Sequence, residues 1–191
     1  MKIFIPFTLS IIFFLSSCLG GNSLFKKKPK FEYGKIANNT YSNSFLGLEV
    51  SLPETWTVDT SKKYESPFSP HFLEADLFDE NQNAIISLNI VGHKKNPFSS
   101  DETLLQYIED SNKNLGILYE KDEHREFIKE IKIAKKDFYR NRVVLLVDSQ
   151  ALFMDEYATE KNSYFYSLTF SYSDTLNRTL VDDVLAKVKI H

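Results

Sequence analysis

The 191-residue chain predicts an α+β fold, an antiparallel β-sheet with helices packed against it. Three observations carry that expectation. From Leu46 onward, short runs of apolar residues at every second position recur between polar, Pro-bearing or Asn/Asp-bearing breaks, the mark of half-buried strands. Two stretches, around Leu104–Leu115 and Leu176–Val188, instead space their apolar residues by three and four, the mark of helices. Gly and Pro are scarce, six of each, while Phe and Tyr number 16 and 10, a composition suited to a sheet-rich core rather than to disorder. Strands, a helix, more strands and a closing helix are the order of an α+β domain.

The chain opens with Lys2 and the apolar run Ile3 to Leu15, which ends in Leu15-Ser16-Ser17-Cys18. A positive start, a short apolar middle and a small-residue cleavage site define a secretory signal, and the run is shorter than the ~20 residues that span a bilayer. An aliphatic residue, two small residues and a cysteine, in that order, resemble a bacterial lipoprotein signal. That resemblance implies cleavage between Ser17 and Cys18 and a diacylglyceryl group on the Cys18 sulfur. Residues 1–17 are then a removed signal peptide, and 174 of the 191 residues remain. Cys18 is the single cysteine, so lipidation leaves no thiol for disulfides, metal ligation or nucleophilic catalysis. Two acyl chains of about fifteen methylenes each, at ~0.8 kcal/mol per CH₂, give roughly 24 kcal/mol of gross anchoring. Leu19, where many retained lipoproteins carry aspartate, points to an outer membrane where Gram-negative sorting applies.

Residues 18–40 read as a lipidated tether: Gly20-Gly21-Asn22-Ser23 is flexible in composition, and Lys26-Lys27-Lys28-Pro29-Lys30 is a charge run. Its reach is about 25 Å as a coil, and its lysines are suited either to anionic headgroups, at about 1 kcal/mol each, or simply to solvent. The domain is expected over 41–191. Leu46, Leu48, Val50 and Leu52 form its first strand, Pro53-Glu54-Thr55 a turn, and Trp56 and Val58 a second short strand. A polar loop with Pro67 and Pro70 leads to the strand Leu73, Ala75, Leu77. Asp79 to Asn83 reads as a hairpin connection, and Ile86, Leu88 and Ile90 as the return strand. A helix is predicted over Asp101 to Leu115, with Ser99 and Glu102 at capping-box spacing and Gly116 as its stop. Three strands should follow: Phe127–Ile133, a long Val143–Tyr157, and Tyr164–Tyr172. Ser173 or Asp174 should cap a last helix with Leu176, Leu180, Val184 and Val188 on its apolar face.

Gly47-Leu-Glu-Val-Ser-Leu-Pro53-Glu-Thr-Trp56, preceded by Tyr41 and Phe45, resembles the opening hairpin of PsbP-like domains. The later order of hairpin, helix, Tyr-x-Tyr-x-Leu-x-Phe strand and closing helix fits the same family over residues 41 to 190. The resemblance implies a PsbP-like fold and a binding or assembly-accessory role rather than an enzymatic one. It carries over no site residues, cofactor or metal.

The residues themselves offer little catalytic chemistry. Among His71, His93, His124 and His191 no pair has His-x-x-x-His spacing. His71 and His93 lie on paired strands where a weak zinc or copper site could form, but solvated loop histidines are the expected reading. Asp76, Asp79 and Glu80 with Asn81 and Asn83 lack the central Gly and final Glu of a calcium loop, and read as a polar turn. Asp155-Glu156 and Asp182-Asp183 are sequence neighbours whose side chains diverge, so neither forms a dyad, and a surface role is expected for both. No Gly-x-Ser-x-Gly elbow or phosphate-binding glycine loop is present. A net charge of −3 argues against nucleic acid. The Tyr164–Tyr172 strand is the candidate recognition surface, through tyrosine hydroxyls at its edges; the alternative is that its rings fill the core.

These readings converge on a non-enzymatic envelope lipoprotein, outside the cytoplasm, that binds a protein or small ligand. Two alternatives remain open. One is a hydrolase or metal-dependent enzyme whose site assembles from dispersed residues, and the other is an immunity or inhibitor protein.

Overall fold

Apolar alternation is realised as twelve strands among the residues described by the computed structural model, which are 29–59, 69–96, 102–121, 127–148 and 150–191. The residues expected as signal peptide with Ser17 and Cys18, most of those expected as tether, Pro67, the expected Ser99 cap and His124 lie outside these. Six strands precede the first helix: β1 (Lys35–Ala37), β2 (Thr40–Asn43), β3 (Leu48–Ser51), β4 (Thr57–Asp59), β5 (His71–Phe78) and β6 (Ala84–Lys94). Helix α1 (Leu104–Leu118) follows, then β7 (Glu120–Lys121), β8 (Phe127–Ile133), β9 (Lys136–Val147), β10 (Gln150–Lys161) and β11 (Tyr164–Tyr172). A 3₁₀ turn (Thr175–Asn177), α2 (Arg178–Leu185) and β12 (Val188–Ile190) close the chain.

All pairings are antiparallel. A small sheet has the order β1-β2-β3-β12, and a large one the order β4-β5-β6-β11-β10-β9-β7, with β8 also on β9. The period of two gives the large sheet two distinct faces. Leu73, Ala75, Ile86, Leu88, Ile90, Leu168, Phe170, Tyr157 and Tyr166 point to the main core. There they meet Tyr41, Leu46, Leu48, Val50, Leu52 and Trp56, together with Val181 and Val184 of α2. The opposite face carries α1, whose Tyr107 stacks on Phe165 of β11 with ring centroids 5.2 Å apart.

Four elements differ from the sequence expectation. Residues read as tether form part of the fold: Phe31 packs on Phe45, Phe72 and Tyr164 at 5.2–5.9 Å, and Lys35–Ala37 is a strand. Gly34 between them has φ +81°, and a Cβ there would lie 2.7 Å from Ser42 O and the Tyr41 ring. The long Val143–Tyr157 strand is two strands, β9 and β10, because the chain reverses at Asp148, φ 50°, to pair Val147 with Gln150. Helix α1 starts at a Thr103–Gln106 capping box and runs through Gly116 to Leu118. Val188 belongs to β12, paired with Val50, and Leu176 is 78% exposed, so α2 buries Val181 and Val184 instead. Asp174 does cap the closing segment, its Oδ1 accepting from the Leu176 amide.

Candidate functional site

The strand expected to offer a recognition surface, β11, is central in the large sheet between β6 and β10. Its Tyr164, Tyr166, Leu168, Phe170 and Tyr172 are all buried, so their rings fill the core and present no surface. A central strand has neighbours on both sides, which leaves its side chains no free edge. His71 is also buried rather than solvated, with Nε2 2.9 Å from Asn89 Oδ1. His93 sits at the far end of β6, stacked on Tyr107 at 5.7 Å and 3.8 Å from Glu102 Oε1. The two histidines engage different partners, and among the described residues no group of three His, Cys, Asp or Glu stands close enough to hold a metal. Asp79 Oδ1 accepts from the Asn81 and Asn83 amides at 2.8 Å each, which makes Asp79–Asn83 a self-capped hairpin turn.

The neighbouring acids Asp155 and Glu156 do face opposite ways, as strand neighbours must, but both are buried. Asp155 accepts from Arg142 Nε at 2.6 Å, Arg142 Nη2 at 2.8 Å and the Tyr172 hydroxyl at 2.8 Å. Such a bidentate, charge-assisted arrangement is the strongest form of a polar contact. Glu156 faces α1, where it accepts from Asn141 Nδ2 at 3.4 Å and Ser111 Oγ at 3.5 Å, and Ser167 also bonds it. Among the described residues no cation offsets its desolvation, so burial pushes its carboxyl up from the ordinary 4.5. Tyr107 is held above its usual range by burial first and by the nearby Glu156 second, and its side chain bonds Ser167. Asn141 Oδ1 is buried with no hydrogen-bond partner among the described residues, and its amide nitrogen also reaches Asn112 Oδ1 at 3.2 Å. Asp182 lies on α2, 3.9 Å from Arg178.

Above this polar layer opens a cleft of about 390 Å³ lined by His93, Glu102, Tyr107, Asp110, Ser111 and Asn114. Helix geometry assembles it: Tyr107, Ser111 and Asn114 recur at four- and three-residue spacing and so share one face of α1. Ser111 joins wall to floor, since it lines the cleft and donates to Glu156. Of these residues sequence reasoning singled out only His93. The available signal was the spacing along α1 and a Glu and an Asn, 156 and 141, inside strands otherwise rich in apolar residues. A wider cleft of about 660 Å³ lies between Glu32, Lys35, Ser44, Glu49, Lys161 and His191. Its carboxylates are already engaged: Glu32 accepts from the Ser44 amide and hydroxyl, and Glu49 from Lys189.

No protein-family model and no curated protein matches the chain. Solved structures do. The cyanobacterial PsbP protein CyanoP from Synechocystis sp. PCC 6803 superposes with a TM-score of 0.55 at 13% identity, over 85% of this chain and 98% of that one. LpqN of Mycobacterium tuberculosis, a protein involved in cell envelope biogenesis, gives 0.48 at 9% identity over 75% and 82%. A structure from Bacteroides thetaiotaomicron gives 0.48 at 10% identity over 76% of this chain, which spans 45% of that one. Gly47–Trp56, expected as a hairpin, instead carries the chain between sheets, since β3 pairs with β2 and β12 and β4 with β5. The antiparallel sheets and the CyanoP superposition give this chain a PsbP-like fold.

Proposed function

We propose that this protein is a lipid-anchored component of a bacterial cell envelope whose PsbP-like domain binds a protein or small ligand and catalyses no reaction. The observation that carries the binding role is the cleft beside α1. Its walls offer two aromatic faces, His93 and Tyr107, and two carboxylates, Glu102 and Asp110, a set able to stack on and hydrogen-bond a bound group. Glu156, whose carboxyl burial pushes up, is 4% exposed and accepts a hydrogen bond from Ser111 beneath the wall, so it braces the wall. Support for the anchor comes from Leu15-Ser16-Ser17-Cys18. Among the described residues no helix is long and apolar enough to cross a membrane.

A photo-crosslinking residue at Asn114, in the cleft, tests the binding role against the same residue at Gln82 in the distant β5–β6 turn. The expected result is an adduct in cells at position 114, absent at 82 and weakened by Tyr107→Ala. Equal yields at the two positions would contradict it. Lipid attachment has its own readout: labelled palmitate should enter the chain and be lost in Cys18→Ser.

A further inference from the structure

The antiparallel registers sort charge between the two ends of the large sheet. One end gathers the turn between β8 and β9, the turn between β10 and β11, and the exit of β6. Ile133 there pairs with Lys136, Lys161 with Tyr164, and Tyr164 with Lys94. These segments bring Lys94, Lys95, Lys132, Lys135, Lys136 and Lys161 to a single end. There Lys95 pairs with Glu160 at 3.0 Å and Lys132 with Asp137, while Lys136 donates to Glu160 O and Lys161 to His191 O. Glu102 accepts from the Asn96 amide, so lysines outnumber the carboxylates. Three of the lysines, Lys94, Lys95 and Lys161, line a groove of about 470 Å³ with Glu160, Asn162 and Ser163. The crowding is physical: Lys136 is held below its usual range by burial first and by the Lys161 charge second. The turns at the opposite end carry Asp79, Glu80, Asp148 and Asp174.

The chain enters the domain at the lysine end. Phe31 lies 5.9 Å from Tyr164 and 5.2 Å from Phe45, and Asn162 of the β10–β11 turn donates to Phe45 O. Phe31 is thirteen positions after Cys18, and that length of chain reaches at most about 45 Å. An anchor at Cys18 therefore holds the domain by this end rather than by the acidic one. Charge and point of entry agree.

We infer that the lysine groove formed by Lys94, Lys95 and Lys161 is a docking surface for anionic phospholipid headgroups, which seats the domain on the membrane with the acidic end outward. The inference rests on the lipid-anchored reading. Seated in this way, the sheet stands on the end from which β6, β9 and β11 meet the bilayer, and the α1 cleft flanks the sheet above it. Each lysine at an anionic surface should shift the docked population by on the order of fivefold, and salt should screen that shift.

The test uses the full lipidated chain in vesicles of phosphatidylcholine, with or without phosphatidylglycerol. Because Cys18 is the single cysteine and is consumed by lipid, Ser163→Cys or Gln82→Cys places a single free thiol for a fluorophore. A quencher on the lipid headgroups should darken the label at 163 several-fold more than at 82. That excess should need phosphatidylglycerol, fall with added salt and vanish in Lys94→Gln/Lys95→Gln/Lys161→Gln. Equal quenching at the two positions, or quenching at 163 that ignores phosphatidylglycerol and salt, would overturn the inference and leave the lysines to a soluble acidic partner. The anchor is read separately on the same sample: a chain without palmitate removes the anchor and this inference with it, whereas a palmitoylated chain with equal quenching removes only the inference.

Discussion

The two faces of the large sheet are built from the same strands and do different work. Towards the small sheet, β6, β10 and β11 present Ile86, Leu88, Ile90, Tyr157, Leu168 and Phe170, and burial of that area is the main stabilising term at about 25 cal/mol per Å². The ionic group there, Asp155 with Arg142 and Tyr172, is bonded at both carboxylate oxygens. Towards α1, β9, β10 and β11 present Asn141, Glu156, Ser167 and Thr169 beside Val143, Ala158 and Phe165. Hydrogen bonds there contribute about 0.5–1.5 kcal/mol net each. The helix above buries Ile108 completely but leaves Leu105 37% exposed. One face holds the fold together, and the other carries a less firmly held helix with a cleft beside it. Within one sheet, strand alternation is enough to separate an apolar core from a polar layer with a cleft beside it.

Breaking the aromatic face should have the largest effect. Asp155→Ala removes the carboxylate that both Arg142 and Tyr172 bind, and should cost about 3–5 kcal/mol because buried charge loses its compensation, read as a fall in denaturation midpoint. A smaller effect of opposite sign is expected a few residues away. The Tyr166 hydroxyl is buried with no hydrogen-bond partner among the described residues, so Tyr166→Phe should be neutral or stabilising by up to about 1 kcal/mol. A loss of stability there would show that the hydroxyl is satisfied.

On the other face, Glu156→Gln separates charge from shape, and its effect starts from nothing at acid pH. Burial raises the Glu156 carboxyl above 4.5, so the folded chain holds a proton that the unfolded chain releases. The stability from that proton is complete below about pH 4.5 and is lost as pH rises through the folded value. Gln keeps the shape and never ionises. The variant should therefore match the parent in acid and gain on it steadily towards neutral pH, in denaturation curves recorded across the range. Glu32, Glu49 and Asp79, whose carboxyls are lowered by hydrogen bonds, act in the opposite sense in both chains and cancel in the difference.

Much of this architecture is legible in the amino-acid sequence, and the parts that are not have definite physical causes. Strong alternation locates β3, β5, β6, β8 and β11, and the Gly-to-Trp pattern over 47–56 points to the fold, although its two strands join different sheets rather than each other. The reversals are harder to see, because the hairpins turn without glycine. Asn38-Asn39, Ala134-Lys135 and Asn162-Ser163 all take positive φ, a conformation that glycine favours. Asp148 does the same, which is why β9 and β10 read as one strand. The capping-box pattern occurs twice within a few residues, at Ser99–Glu102 and Thr103–Gln106, and spacing alone does not choose between them. Alternation does place Asp155 and Glu156 on opposite faces. Their burial follows instead from the central position of β10 between β9 and β11, which is a property of strand order. The α1 cleft escapes notice for the same reason, since His93, Tyr107 and Ser111 meet only once β6 and α1 are set side by side.

The central claim is that the aromatic face holds the fold while α1 rests on a weaker polar layer. Native-state hydrogen exchange tests it most directly, since locally opening segments exchange at lower free energy than the global transition. The account predicts that amides of β6, β10 and β11 exchange only through global unfolding. Those of α1 should exchange through a smaller opening, and Thr103→Ala, which removes the helix cap at a cost of about 1 kcal/mol, should ease that opening further. Equal protection in α1 and β11, unchanged by Thr103→Ala, would contradict it.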